Sequence, residues 1–116
     1  MTWKEINTFV ETIASDLKIP SAYYVFATPQ EPPYLVWMLE RNDFYADDSN
    51  YQKIARVSIE LYTDNKEPGM EATIESMLPF SYTYGSSYID SEKMYQTTYD
   101  FETTFESEEI VDAEQD

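Results

Sequence analysis

From Lys53 to Thr63 the sequence alternates with a period of two. Val57, Ile59 and Leu61 fall on one side, and Arg56, Ser58, Glu60 and Tyr62 on the other. Successive side chains of a strand point to opposite faces, so this pattern specifies a half-buried antiparallel strand. Its apolar face must be covered, and two segments have the right periodicity to cover it. Trp3, Ile6, Phe9, Val10, Ile13 and Leu17 recur at three- and four-residue spacing, with Asn7, Glu11, Thr12 and Asp16 on the other side. Thr2 and Glu5 fit a capping box, Lys18 suits the negative end of the dipole, and Pro20 marks the stop, so a helix is predicted over Trp3–Leu17. A second helix begins at Pro68, carries Met70, Ile74, Met77 and Leu78 on one stripe with Glu71 and Glu75 opposite, and ends at Pro79.

The remaining segments read as strands and turns. Ala22–Phe26 is a short apolar run and a predicted strand. Thr28–Pro33 contains three prolines and is a loop. Tyr34–Leu39 is apolar throughout, which suits a strand covered on both faces or one covered on its second face by a neighbouring subunit. Asp43–Asn50 is polar and acidic and reads as an exposed excursion. Phe80, Tyr82 and Tyr84 open a strand that runs to Ile89, Asp90–Lys93 is a turn, and Tyr95, Tyr99 and Phe101 alternate along the last strand. Tyr88–Phe105 is therefore expected to be a hairpin arm. The order is α-β-β-β-α-β-β: an α+β fold, with a mixed, mainly antiparallel sheet and two helices packed on one face. The expected core is Ile6, Phe9, Ile13, Val57, Ile59, Leu61, Ile74 and Leu78. The 116 residues suit one domain, placed at 1–105. Residues 106–116 hold six acids and no bases and are expected to be a disordered tail.

Composition narrows the chemistry. Histidine and cysteine are both absent, which excludes Ser-His-Asp and Cys-His nucleophiles, thiolate or imidazole metal sites, disulfides and redox pairs. Seven Lys and Arg against 23 Asp and Glu give a net charge of −16, the wrong sign for gripping phosphate backbones or anionic lipid. No apolar run reaches the ~18–20 residues of a spanning helix, and the N-terminal residues lack the pattern of a secretory signal. The expectation is a soluble protein made in the cytoplasm, with no catalytic activity, cofactor, metal or membrane partner.

Several constellations bear on function. Asp43, Asp47, Asp48 and Asn50 bring oxygens together, yet lack the alternating ligands, central glycine and distal glutamate of a calcium loop; a solvated loop is the simpler account. Pairs of carboxylates arise by chance among 23 acids, and none stands out as an acid–base dyad. The two glycines, Gly69 and Gly85, cannot build a phosphate cradle. Met70, Met77 and Met94 suit core filling. The 11 tyrosines and two tryptophans are more informative. Cross-strand packing accounts for many of them, and a protein–protein interface is the functional alternative. Tyr23, Tyr24, Tyr34, Trp37, Tyr45, Tyr51 and Tyr62 are the candidate contact residues.

Several strings resemble a known family. Ile19-Pro20, Ala22-Tyr23-Tyr24, Pro32-Pro33-Tyr34-Leu35-Val36 and Asn42–Asp48 leading into Tyr51 look like the N-terminal half of a tail completion family of long-tailed phages and prophages of Gram-positive bacteria. Val57–Lys66 is similar to that family's central strand and turn, and Tyr88–Gln96 resembles its terminal hairpin. The resemblance spans Trp3–Glu102 and contains no catalytic motif. It implies a tail-terminator-like α/β sandwich and a virion protein at the head–tail junction. In that role a hexameric ring of this chain would end the tail tube and dock it to the head connector or stopper protein. DNA would only pass through a negative lumen that repels it. The rival reading, from the charge alone, is an acidic DNA mimic that inhibits a DNA-binding enzyme.

Overall fold

The computed structural model describes residues 1–45 and 51–106, with side chains described for 1–41 and 53–106. Helix α1 spans Trp3–Leu17, strand β1 Ser21–Tyr23, β2 Tyr34–Tyr45, β3 Tyr51–Thr63, helix α2 Pro68–Met77, β4 Tyr82–Ile89 and β5 Met94–Thr104. The predicted order and α+β class hold. The strands form one sheet in the order β1-β2-β3-β5-β4. Only β1 and β2 run parallel; every other pair is antiparallel.

The alternation of β3 sets this arrangement. Ala55, Val57, Ile59 and Leu61 lie fully or almost fully buried on one face. Register places Ile59 between Trp37 of β2 and Tyr99 of β5, and Val57 between Leu39 and Phe101. Ile6, Val10, Ile13 and Ala14 of α1 and Ile74 of α2, with Leu78 just beyond it, complete the same cluster, so both helices cover this one face. All the expected core residues are in it, with Phe9 packed against its margin. Phe9 meets Phe80 and Phe101 edge-on, and Phe80 stacks on Phe101 at 4.5 Å.

Local signals explain the element ends. The Thr2 hydroxyl accepts from the Glu5 N–H at 3.1 Å while the Glu5 carboxylate accepts from the Thr2 N–H at 2.8 Å, the reciprocal bonds of a capping box. Lys18 closes α1 in the left-handed region at φ 60°. Pro68 opens α2, where its missing N–H costs nothing.

Four expectations need correction. The first strand stops at Tyr23, because Tyr24 turns into the left-handed region at φ 71°. Strand β2 does not stop at Leu39 but runs to Tyr45, through the first residues of the expected excursion at Asp43–Asn50. In register Glu40 stands opposite Arg56, Asp43 opposite Lys53 and Tyr45 opposite Tyr51, so backbone pairing with β3 carries a polar strand onward. The Tyr88–Phe105 segment does form a hairpin, with Tyr88 opposite Tyr95, but it is no projecting arm, since β5 is bonded between β3 and β4. Finally, Glu71 faces the sheet and not solvent. Residues 46–50 and 107–116, which include the rest of the expected excursion and nearly all of the expected tail, lie outside the described residues.

Glu71 is 8% exposed and sits at the centre of a polar network beneath α2. Its carboxylate pairs with Lys66 Nζ at 2.7 Å and accepts from the Tyr84 hydroxyl at 2.8 Å and the Thr97 hydroxyl at 3.2 Å. Lys66 also donates to Tyr84 and to Ser86, and the Tyr99 hydroxyl donates to Glu75 at 2.8 Å. These bonds tie α2 to β4 and β5. Among the described residues no buried side-chain nitrogen or oxygen lacks a partner, the condition under which such a network stabilises. Burial alone would raise the Glu71 pKa; the Lys66 ammonium and the donated hydroxyls overcome it and hold the carboxyl below its ordinary 4.5.

This packing has two measurable consequences. Ile59→Ala should lose about 2–5 kcal/mol in a urea titration; a loss under roughly 1 kcal/mol would place the Ile59 face outside the core. Glu71→Gln should lose about 1–3 kcal/mol at neutral pH, since it weakens a charge-assisted bond and leaves Lys66 less compensated. A depressed carboxyl pKa contributes stability that is complete above the unfolded value of 4.5 and disappears as pH falls through the lower folded value. The wild type should therefore lose stability over that acid window with a steeper slope than the Glu71→Gln variant, and equal slopes would contradict the assignment.

Candidate interaction surfaces

The helices leave the other face of the sheet without a helical layer. On it the segment after β1 folds back over the near end of β2 and β3. Phe26 meets Tyr34 edge-on at 5.3 Å, and Tyr34 stacks on Tyr62, its direct cross-strand partner, at 5.0 Å. With Val36, Glu60 and Met94 these rings line an open pocket of about 370 Å³. The apolar second face of Tyr34–Leu39 is thus partly covered by its own chain, and Val36 is buried there.

Tyr62 is the centre of the polar bonds in this pocket. The Tyr62 hydroxyl donates to Glu60 Oε1 at 2.7 Å and accepts from Gln96 Nε2 at 2.8 Å. Burial, then the bond to Glu60, pushes the Tyr62 hydroxyl well above its ordinary value. Burial, then the carboxylates of Glu92 and Glu60, raises that of Tyr34. Both phenols stay neutral at physiological pH and present flat apolar rings with a polar rim. Further along this face Arg56 pairs with Glu102 at 2.9 Å, an exposed contact that contributes little to stability.

A second aromatic group lies at the β1 end of the sheet. Trp37 is 1% exposed on the helix-covered face. Tyr23 packs on it at 4.6 Å and Trp3 at 5.3 Å, and Trp3 meets Tyr23 edge-on. Trp37 is therefore enclosed by its own subunit, and the outward parts of this group are Trp3 and Tyr23. The opposite end of the sheet is β4, exposed at every residue except Ile89. There Tyr82 and Tyr84 rest edge-on against Tyr99, and Tyr88 against Tyr95.

The sequence-derived candidates thus divide among three places. Tyr34 and Tyr62 meet in the pocket. Tyr23 and Tyr24 stand at the β1 end, with Trp37 beneath Tyr23 and Tyr24 also lining the pocket. Tyr45 and Tyr51 face each other in register at the far end of β2 and β3, and their side chains lie outside the described ones. The cluster Asp43, Asp47, Asp48 and Asn50 falls outside the described side chains too. Among those described, no group of three or more acidic side chains could hold a metal ion, and no helix is long and apolar enough to cross a membrane. Sequence reasoning passed over Tyr82, Tyr84 and Tyr88 as outward residues. The available signal was the absence of any charge in the strand that carries them.

No family model matches the chain, and no curated protein matches it in sequence. Its fold does have a likeness among solved structures. A chain from the virion of a native gene transfer agent particle superposes with a TM-score of 0.54, covering 79% of this chain and 82% of that one at 12% identity. At that identity the likeness establishes a shared fold.

Proposed function

We propose that this chain is a structural subunit of a phage-like virion, at the junction of head and tail. In this reading a ring of six copies ends the tail tube and docks it to the head connector. The observation that carries the proposal is the fold shared, over most of both chains, with a chain of a gene transfer agent virion. The sequence resemblance to tail completion proteins points the same way. The role is one of assembly, with no catalysis or cofactor, and its partners are further copies of this chain, the tail tube protein and the head connector or stopper protein. The place of action is the virion, after synthesis in the host cytoplasm.

The chemistry of the surface suits that role. A ring with a net charge of −16 per subunit lets DNA pass without sticking, since like charges repel within a Debye length of ~8–10 Å. Tyr34, Tyr62, Tyr45 and Tyr51 are proposed as contact residues, with Trp37 as the buried support of Trp3 and Tyr23. We assign the assembling domain to 1–105 and treat 106–116 as an appended acidic tail. The DNA-mimic alternative needs an unbroken anionic face, and the Arg56–Glu102 pair interrupts the open face of the sheet.

Salt tests the proposal. Subunits at −16 repel one another, so the ring should be weak at low ionic strength and favoured as salt screens the repulsion. Sedimentation velocity at about 20 mM and about 500 mM NaCl spans that change, with and without tail tubes. A hexamer at high salt, or capped tube ends in micrographs, is expected. A monomer under all four conditions with uncapped tubes would overturn the assignment, and a tight complex with a DNA-binding enzyme would favour the mimic.

A further inference from the structure

The two longest uncharged stretches of the sequence are residues 19–30 and 76–89. The first contains β1 and the second contains β4. The strand order puts these at the two opposite ends of the sheet. The exposed large apolar and aromatic side chains among the described residues follow the same division. Trp3, Tyr23, Tyr24 and Val25 are at the β1 end, with Tyr24 and Val25 at 66% and 70% exposure; Tyr82, Tyr84 and Tyr88 are at the β4 end. Among the described residues none lies elsewhere.

Both ends also have backbone to offer. As the last strand of the sheet, β4 is bonded on one side only, over eight residues with no charge and no proline. Solitary proteins blunt such an edge with lysine, proline or a bulge, because an open flat edge templates pairing with another chain. At the other end, the Leu35 N–H bonds to the Pro20 carbonyl and the Tyr24 N–H to the Trp37 carbonyl. Positions 20, 22 and 24 therefore bond toward β2, and the two-residue period turns the backbone of Ser21 and the Tyr23 N–H away from it, while the Tyr23 carbonyl accepts from the Val25 N–H at 2.7 Å.

Resting on the ring reading above, we propose that the ring closes through these two ends: the β4 edge of one copy receives the β1 end of the next. The occupant is a second copy because charge decides it. A copy carrying −16 meets least repulsion where the facing strands carry no charge of their own, and each subunit has one such strand at each end; Lys66, which lies against Tyr84 and Ser86 of β4, is already paired with Glu71. Two different patches at opposite ends make a head-to-tail contact, the kind that generates closed rings. Backbone pairing over the short β1 fixes the register. The exposed tyrosines on both sides supply the large, rigid contact area typical of interface anchors. A β4-to-β4 contact would instead make a closed dimer and leave the β1 aromatics exposed.

The absence of native cysteine makes the test clean. One variant carries Thr83→Lys and Ser87→Lys, both on exposed β4 positions of the open face. It should keep the wild-type thermal midpoint as a monomer and associate at least tenfold more weakly at about 500 mM NaCl. Two further variants, Tyr24→Cys and Ser87→Cys, are mixed in equal amounts and treated with a short bis-maleimide. Cross-linked pairs should form in the mixture and not with either variant alone. Assembly unaffected by the lysines would overturn the edge contact and leave the ring standing. Cross-linking of Ser87→Cys with itself would overturn the head-to-tail arrangement. A mixed cross-link within open chains, with no species of six, would uphold the contact and overturn the ring. A wild type that never associates would overturn both.

Discussion

Burial of Ala55, Val57, Ile59 and Leu61 of β3 against two helices sets the rest of this structure. Val57, Ile59 and Leu61 reach zero or near-zero exposure only because Ile6, Val10 and Ile13 from α1 and Ile74 from α2 fill the space above them. Because a strand alternates, burying one face commits the other to solvent or to a partner. One-sided cover therefore has two consequences. The open face carries Glu40, Arg56, Ser58, Glu60 and Asp100, and the sheet keeps both of its ends, β1 and β4, available.

The buried face is not wholly apolar, and its polar part is concentrated at one end. Thr97, Glu71 and the Tyr99 hydroxyl lie under α2, and their bonds run from helix to β4 and β5. Apolar packing positions α2 in general; this network fixes which turn of the helix sits over which strand. It also steadies the edge, since Tyr84 and Ser86 of β4 are both bonded to Lys66. The strand presented at the end of the sheet is thus held on its helix side, with its outer edge left open.

Much of this fold was legible in the sequence, for identifiable reasons. The capping box of α1, the proline at the start of α2 and the strict alternation of β3 are local signals, and each formed as read. What escaped depends on distant partners. The continuation of β2 through Glu40 and Asp43 comes from backbone pairing with β3, in a register the pattern did not reveal. Glu71 looked like a solvent-facing acid because its helix stripe was scored by apolarity, whereas Lys66, Tyr84 and Thr97 make its burial tolerable. Trp37 looked available as an anchor because nothing local shows that Trp3 and Tyr23 fold over it. The tyrosines of β4 were visible as residues, but their place at the end of the sheet was a matter of strand order.

The central claim is that the two uncharged ends of the sheet meet between copies. Amide hydrogen exchange on the wild-type chain, followed by mass spectrometry as assembly is driven by protein concentration, reads this directly. The account predicts that peptides covering residues 19–30 and 79–89 gain protection together as the assembly forms, while those from the middle of α1 stay unchanged. Protection confined to the open face around Tyr34 and Tyr62, or gained at one end of the sheet without the other, would contradict it.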